Sequence, residues 1–235
     1  MLGTPRYAAA LLQHERYCEA LEQCGLEVIP LDADARFPDS TFVEDTAVLT
    51  DKVAVLARPG APSRQGEVAA VRDTLADCYE ECVTMREPAT LDGGDVCQAA
   101  NQFFIGLSKR TNEAGTRELS AVLEKHDYDV TIVDIRKIAG LLHLKSGLSW
   151  VGDGQLVTSA ALARHDAFHG YETIVVEAKE EYAANCVRVN DAVLVADGFP
   201  VLADTLSRAG HSVITLAMSE FRKMDGGLSC LSLRF

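Results

Sequence analysis

Apolar and polar positions along this 235-residue chain switch repeatedly between a helical period and a strand period. Five stretches, at 5–24, 62–81, 109–127, 160–168 and 199–209, carry apolar residues at helical spacing. In the first, Tyr7, Leu11, Leu12, Tyr17, Ala20 and Leu21 form one stripe, and Cys24-Gly25 supplies a C-terminal glycine cap. A β-rich run follows each helical stretch, at 26–31, 82–85, 130–135, 173–176 and 212–216. A second strand is expected to start near Phe42, Gly93, Ser146, Asn185 and Leu228, at intervals of roughly 40 to 50 residues. Short apolar runs at 53–56, 103–106, 156–158 and 193–195 predict a third strand, with Asp153-Gly154 and Asn190-Asp191 as hairpin turns.

The pattern predicts an α/β fold: a five-bladed α/β propeller with pseudo-fivefold ββαβ repeats around a central axis. Four third strands serve five units, so the chain is expected to lack the N-terminal closing strand and to leave one edge of the strand from Leu228 open. A homodimer would cover that edge. The chemically distinctive residues gather at the second-strand starts: Glu44 and Asp45, Asp92 and Asp95, His143, Asn185, and Cys230. In a ring these positions converge, and a small ligand would be surrounded there.

Composition narrows the field. With 48% hydrophobic residues the chain can bury a full core. Its net charge of −13 excludes nucleic acid as a partner, since that role needs clustered Lys and Arg. No apolar run reaches membrane-spanning length and no charged-then-apolar leader opens the chain, so neither a membrane nor export is expected. Seven cysteines without a regular framework read as reduced thiols of a cytoplasmic protein. Cys78-x3-Cys82 has no second matching pair, and His165 and His169 have no third ligand nearby, so no metal site is expected.

The chemistry rests on Cys230, in Asp225-Gly-Gly-Leu-Ser-Cys230, and on His143, in Leu142-His-Leu-Lys-Ser146. A cysteine nucleophile and its histidine are commonly far apart in sequence. Around them stand carboxylates suited to a cation. Seven ordered motifs carry a resemblance that spans 2–235. They are Arg36-Phe-Pro-Asp-Ser-Thr-Phe-Val-Glu-Asp45, Arg58-Pro-Gly-Ala-Pro-Ser-Arg64, Thr90-Leu-Asp-Gly-Gly-Asp-Val96, Gly106-Leu-Ser-Lys-Arg-Thr-Asn112, Leu142–Ser146, Ala183-Ala-Asn-Cys186 and the Cys230 tail. Together they resemble the dimethylarginine dimethylaminohydrolase family of the guanidino-group-modifying (pentein) superfamily.

That resemblance implies a single catalytic domain over 1–235 that hydrolyses N-omega-methylated arginines to citrulline and an alkylamine. It implies Cys230 as nucleophile, His143 as general acid and base, and Asp92 as the residue orienting His143. Glu44 and Asp45 would hold the guanidinium, Asp39 the amino-acid end, and Arg64 and Arg110 the α-carboxylate. Backbone near Met224 would meet the ligand's amino group. No cofactor is implied. Asp95 is read as structural. Two alternatives stay open: another guanidino enzyme, such as an arginine or agmatine deiminase, and a non-catalytic arginine-binding protein.

Overall fold

The computed structural model describes residues 2–235. Helix α1 (Tyr7–Gln23) opens the chain and ends at Gly25, whose φ of +89° places it in the left-handed region that favours glycine. Four three-stranded sheets follow, each built the same way. An antiparallel hairpin comes first, and a third strand then pairs in parallel with the hairpin's second strand after a crossover.

The first sheet is β1 (Ala47–Leu49), β2 (Ala54–Leu56) and β3 (Cys82–Thr84), with α2 (Val68–Leu75) in its crossover. The second is β4 (Val96–Ala99), β5 (Gln102–Leu107) and β6 (Asp129–Asp134), crossed by α3 (Glu113–Lys125). The third is β7 (Leu148–Gly152), β8 (Gln155–Ser159) and β9 (Glu172–Val176). The fourth is β10 (Val187–Val189), β11 (Ala192–Ala196) and β12 (Ser212–Leu216), crossed by α4 (Pro200–Arg208). A short α5 (Ser219–Arg222) follows. Asp153 and Asn190 sit at φ of +49° and +50° in the two hairpin turns the sequence marks.

Burial explains the strand patterns. The middle strands are buried along almost their whole length, so they read as continuous apolar runs. The third strands are mostly exposed or half-buried, which gives them their mixed composition.

The chain separates into two compact units. One comprises Leu31–Ser146 and Ser232–Phe235. Its core packs Val55, Leu91, Phe103, Ile105, Leu119 and Leu123, with Leu56, Val71 and Leu75 in a second cluster. The other runs from the N-terminus to Pro30 and resumes over Gly147–Leu231. In it Leu156, Val157, Leu194, Val195 and Leu206 are at most 1% exposed. There α1 is tied to α5 by reciprocal bonds, the Gln13 side chain donating to Ser219 Oγ (2.9 Å) and accepting from Glu220 N (3.0 Å).

Three expectations are corrected. The stretch 160–168 forms turns and a 3-10 segment at Asp166–Phe168 rather than an α-helix. Leu162 and Phe168 are buried, so the apolar spacing reflects two anchors of a short crossover. The run at 26–31 and the tail from Leu228 join no ladder among the described residues; the first has no partner strand and the second turns into a 3-10 segment at Ser229–Leu231. Finally, the four second strands that form begin two to five residues later than expected, because the positions read as their starts lie in or beside tight 3-10 turns, among them Val43–Thr46, Gly93–Asp95 and Leu144–Ser146.

Candidate active site

Those 3-10 turns carry the chemistry. In the unit containing Leu31–Ser146, the turns at Val43–Thr46, Gly93–Asp95 and Leu144–Ser146 pack successively against one another. Gly94 makes the approach possible. A Cβ there would lie 2.8 Å from Asp45 Oδ1 and 2.9 Å from His143 Nδ1, where no side chain fits.

His143 is buried, with Nε2 2.9 Å from Asp92 Oδ2 and Nδ1 3.9 Å from Asp45 Oδ1. Ser146 closes its turn, the Ser146 N–H donating to the His143 carbonyl (3.1 Å). Burial by itself depresses the imidazole, but the charge of Asp45, the bond to Asp92 and the charge of Asp95 outweigh it and raise His143 to about 9. Burial likewise pushes Asp92 up, yet its bond to His143, that histidine's charge and the Gly60 N–H leave it below the usual carboxylate range. Gly60 N donates to Asp92 Oδ1 at 2.8 Å. The pair is therefore an imidazolium carboxylate at neutral pH.

Asp45 accepts from Gly94 N (3.0 Å) and is paired with Arg64 Nη1. Arg64 is buried, and its guanidinium donates further to Glu67 (2.8 Å from Nη2) and to the Phe42 carbonyl (2.9 Å). Burial opposes its charge, but Glu67 and Asp45 together hold it firmly protonated. Glu44 is buried and pairs with Lys145. Asp39 is exposed, and its carbonyl lies 3.3 Å from Arg64 Nη2. Arg110 is half-buried in the loop three residues before α3, not in the helix's first turn as its spacing suggests; its charge acts on Asp92. Asp45, Asp92 and His143 offer ligand-type atoms within 4.8 Å of one another, and the hydrogen bonds and ion pairs just described account for them.

Cys230 and Met224 belong to the other unit. Both are half-buried. Cys230 lies in the 3-10 turn Ser229–Leu231, where the Gly227 N–H points at its Sγ from 3.5 Å. Asn185 clamps this turn, accepting from Ser229 N at 2.9 Å through Oδ1 and donating to Ser229 Oγ at 2.8 Å through Nδ2. Tyr182 Oη donates to the Gly226 carbonyl (2.8 Å).

The structure thus joins His143, Asp92, Asp45 and Arg64 into one network. Glu67 extends that network and Lys145 pairs with Glu44 in the same unit, while Asn185 and Tyr182 hold the turn of Cys230 in the other; none of the four is assigned a role by the sequence. Only Asn185 had a signal, its recurrence at a second-strand start.

The repeated α/β fold, a hairpin with a parallel third strand four times over, is shared with solved structures of guanidino-modifying hydrolases of the pentein class. A family model described as "N,N dimethylarginine dimethylhydrolase, eukaryotic" matches residues 6–192. The Pseudomonas aeruginosa N(G),N(G)-dimethylarginine dimethylaminohydrolase is 40% identical over 235 residues, covering 100% of this chain and 91% of that protein. The Streptomyces coelicolor protein of the same name is 34% identical, over 97% of this chain and 86% of its own. The solved structure of a cysteine-to-serine mutant of the P. aeruginosa enzyme with citrulline matches with a TM-score of 0.97 at 39% identity, covering 100% of this chain and 91% of that one. The chain belongs to the dimethylarginine dimethylaminohydrolase family.

Proposed function

We propose that this chain hydrolyses N-omega-methylated arginines, asymmetric dimethylarginine and monomethylarginine, to citrulline and an alkylamine. The observation that carries the reading is the buried His143–Asp92 pair with Asp45 beside it. Family relatives have been captured with citrulline and, in a histidine-to-glycine mutant, as an adduct with S-methyl-L-thiocitrulline, ligands of the corresponding chemistry.

The charge states order the steps. A guanidinium is a delocalised cation and a poor electrophile, and its amine leaves only when protonated. Glu44 and Asp45 would grip its N–H array and fix the carbon for attack. Binding that cation lowers the cost of a thiolate at Cys230, whose proton leaves to solvent. The thiolate adds to the guanidinium carbon, forming the C–S bond of a tetrahedral adduct. His143, held protonated with a value raised to about 9, gives its proton to the departing dimethylamine or methylamine as the C–N bond breaks. An S-alkylthiouronium remains on Cys230. The imidazole, now neutral, takes a proton from water as the oxygen adds. Collapse of the second adduct breaks the C–S bond and releases citrulline and the thiol. Over the cycle Cys230 regains its proton from the hydroxyl of the second adduct, the released alkylamine takes up the proton first lost to solvent, and no step needs a cofactor.

Asp39 and backbone near Met224 would receive the amino-acid end. Of the two arginines proposed for the α-carboxylate, Arg64 is already committed to Asp45 and Glu67, so Arg110 would carry the larger share. None of the seven cysteines forms a disulfide, in keeping with a cytoplasmic location, and no helix among the described residues is long and apolar enough to cross a membrane. A homodimer completes the proposal.

The test is release of citrulline and dimethylamine from asymmetric dimethylarginine, with Cys230→Ser and free arginine as controls. Dimethylamine release that the mutant loses supports the reading. Ammonia from arginine in its place would make the protein a deiminase, and binding without turnover would make it a binder.

A further inference from the structure

Asp95 is wholly buried, and the mechanism above does not use it. Its carboxylate takes three hydrogen bonds: Ser108 Oγ at 2.7 Å and Thr111 Oγ1 at 2.6 Å on Oδ2, and Leu144 N at 3.0 Å on Oδ1. The last of these comes from the residue beside His143. Thr111 has a second duty, accepting from the backbone N–H of Asp92 at 3.1 Å. Each end of the His143–Asp92 hydrogen bond is therefore fastened to the same carboxylate, one through Leu144 and the other through Thr111.

A buried carboxylate is a costly way to hold a turn, because its charge must be desolvated along with the two oxygens that accept the bonds. What it adds is that charge. The ionisable groups acting on His143 are Asp45 and Asp92, both in direct reach, and Asp95 itself; Arg64 lies behind Asp45, Arg110 acts on Asp92, and Lys145 follows two residues later, paired with Glu44. We propose that Asp95 is a positioning residue for the reaction: it sets the geometry of the His143–Asp92 pair from behind and helps keep His143 in its proton-donating form. Burial raises Asp95 to about 6, so the carboxylate is ionised where the enzyme would work and is discharged in mild acid.

The inference rests on the hydrolase reading for its catalytic consequence, but its central claim is checked without turnover. The imidazole titration of His143 is followed by NMR in the wild-type protein, in Asp95→Asn and in Thr111→Val. The pH profile of citrulline formation from asymmetric dimethylarginine is measured beside it. Asp95→Asn keeps the shape, removes the charge and turns one of the two accepting oxygens into a donor, whereas Thr111→Val alters the bonding alone. It is expected to lower the His143 titration by about one pH unit. The alkaline limb of kcat should move down with it, kcat should fall about tenfold or more, and KM should change less. Thr111→Val, which keeps the charge and cuts the link to Asp92, is expected to lower kcat while leaving the titration closer to wild type. A folded Asp95→Asn protein with the wild-type His143 titration overturns the proposal. If Asp95→Asn does not fold, an unchanged kcat in Thr111→Val overturns the positioning claim instead. A wild-type protein that titrates as expected but releases no alkylamine defeats the hydrolase reading alone.

Discussion

At the scale of single residues, the two arginines proposed for one job stand in different surroundings, and that difference makes a prediction. Arg64 is buried between Asp45, Glu67 and the Phe42 carbonyl, so removing it strands two buried carboxylates. Breaking a buried pair from one side costs about 3–5 kcal/mol. Arg64→Ala is therefore expected to lose fold stability as well as activity, seen as an early thermal transition. Arg110 is half-buried and lies in a loop, so Arg110→Ala should keep its melting temperature and raise KM for asymmetric dimethylarginine about tenfold or more, as expected for lost carboxylate binding. Equal loss of stability in both variants would refute this division. Residue identity was readable in the chain, whereas partnership was not. His143 and Asp92 are 51 positions apart, and only the motif resemblance connected them. Glu67, Lys145 and Thr111 acquire meaning only from neighbours that the fold supplies, so spacing gave no reason to select them.

At the scale of elements, hydrophobic period located the hairpins and their parallel third strands well, since the middle strands are buried and their apolar runs are unmistakable. It failed where local pattern and tertiary role part. By their spacing the distinctive residues open strands, but they occupy or adjoin 3-10 turns, whose tight backbone leaves no periodic trace and which are defined by what packs against them. The turn carrying Cys230 shows the dependence most plainly. It is held from outside by Asn185, whose Oδ1 satisfies the Ser229 N–H and would lie 2.4 Å from any Cβ placed on Gly227. Asn185→Ala leaves that buried N–H without this acceptor, at a cost of about 1–3 kcal/mol, and frees the turn. Since a nucleophile displaced by 1 Å loses about a hundredfold in rate, kcat should fall by that order while KM moves little. Alkylation of Cys230 by iodoacetamide, which needs no substrate pocket, should also change its rate. A variant with wild-type kcat and alkylation rate would show that the clamp is incidental.

For the whole molecule, the charge cluster and the net charge tie stability to pH in one direction through neutrality, against its rise. His143 is raised to about 9 from 6.5, so the folded state holds its proton more tightly. Its contribution is fully present below 6.5 and is lost as pH rises through 9. Asp95 is raised to about 6 from 3.8, so folding is opposed progressively as pH climbs through that interval. Asp92 is held below 3.8; its contribution is present above that value and is lost as pH falls through its folded value. Glu220, held at about 2 first by its bond to Lys223 and then by the Arg6 N–H, acts in the same sense as Asp92. The net charge of −13 adds self-repulsion that grows above the isoelectric point near 4.8. All these influences place the maximum of stability in mild acid, near pH 4–5, with a decline through neutrality to pH 9. The His143 share of that decline is on the order of 3 kcal/mol, from a shift of about 2.5 pH units at about 1.4 kcal/mol each. Thermal melts of the wild-type chain from pH 4 to 9 should fall on the alkaline side, and His143→Gln should flatten the segment between 6.5 and 9 while leaving the acid limb in place. A wild-type melting temperature that holds or rises between pH 6.5 and 9 would mean that His143 is neutral in the folded protein. The order of proton transfers proposed for the reaction would then have to be reversed, with His143 first taking the Cys230 proton.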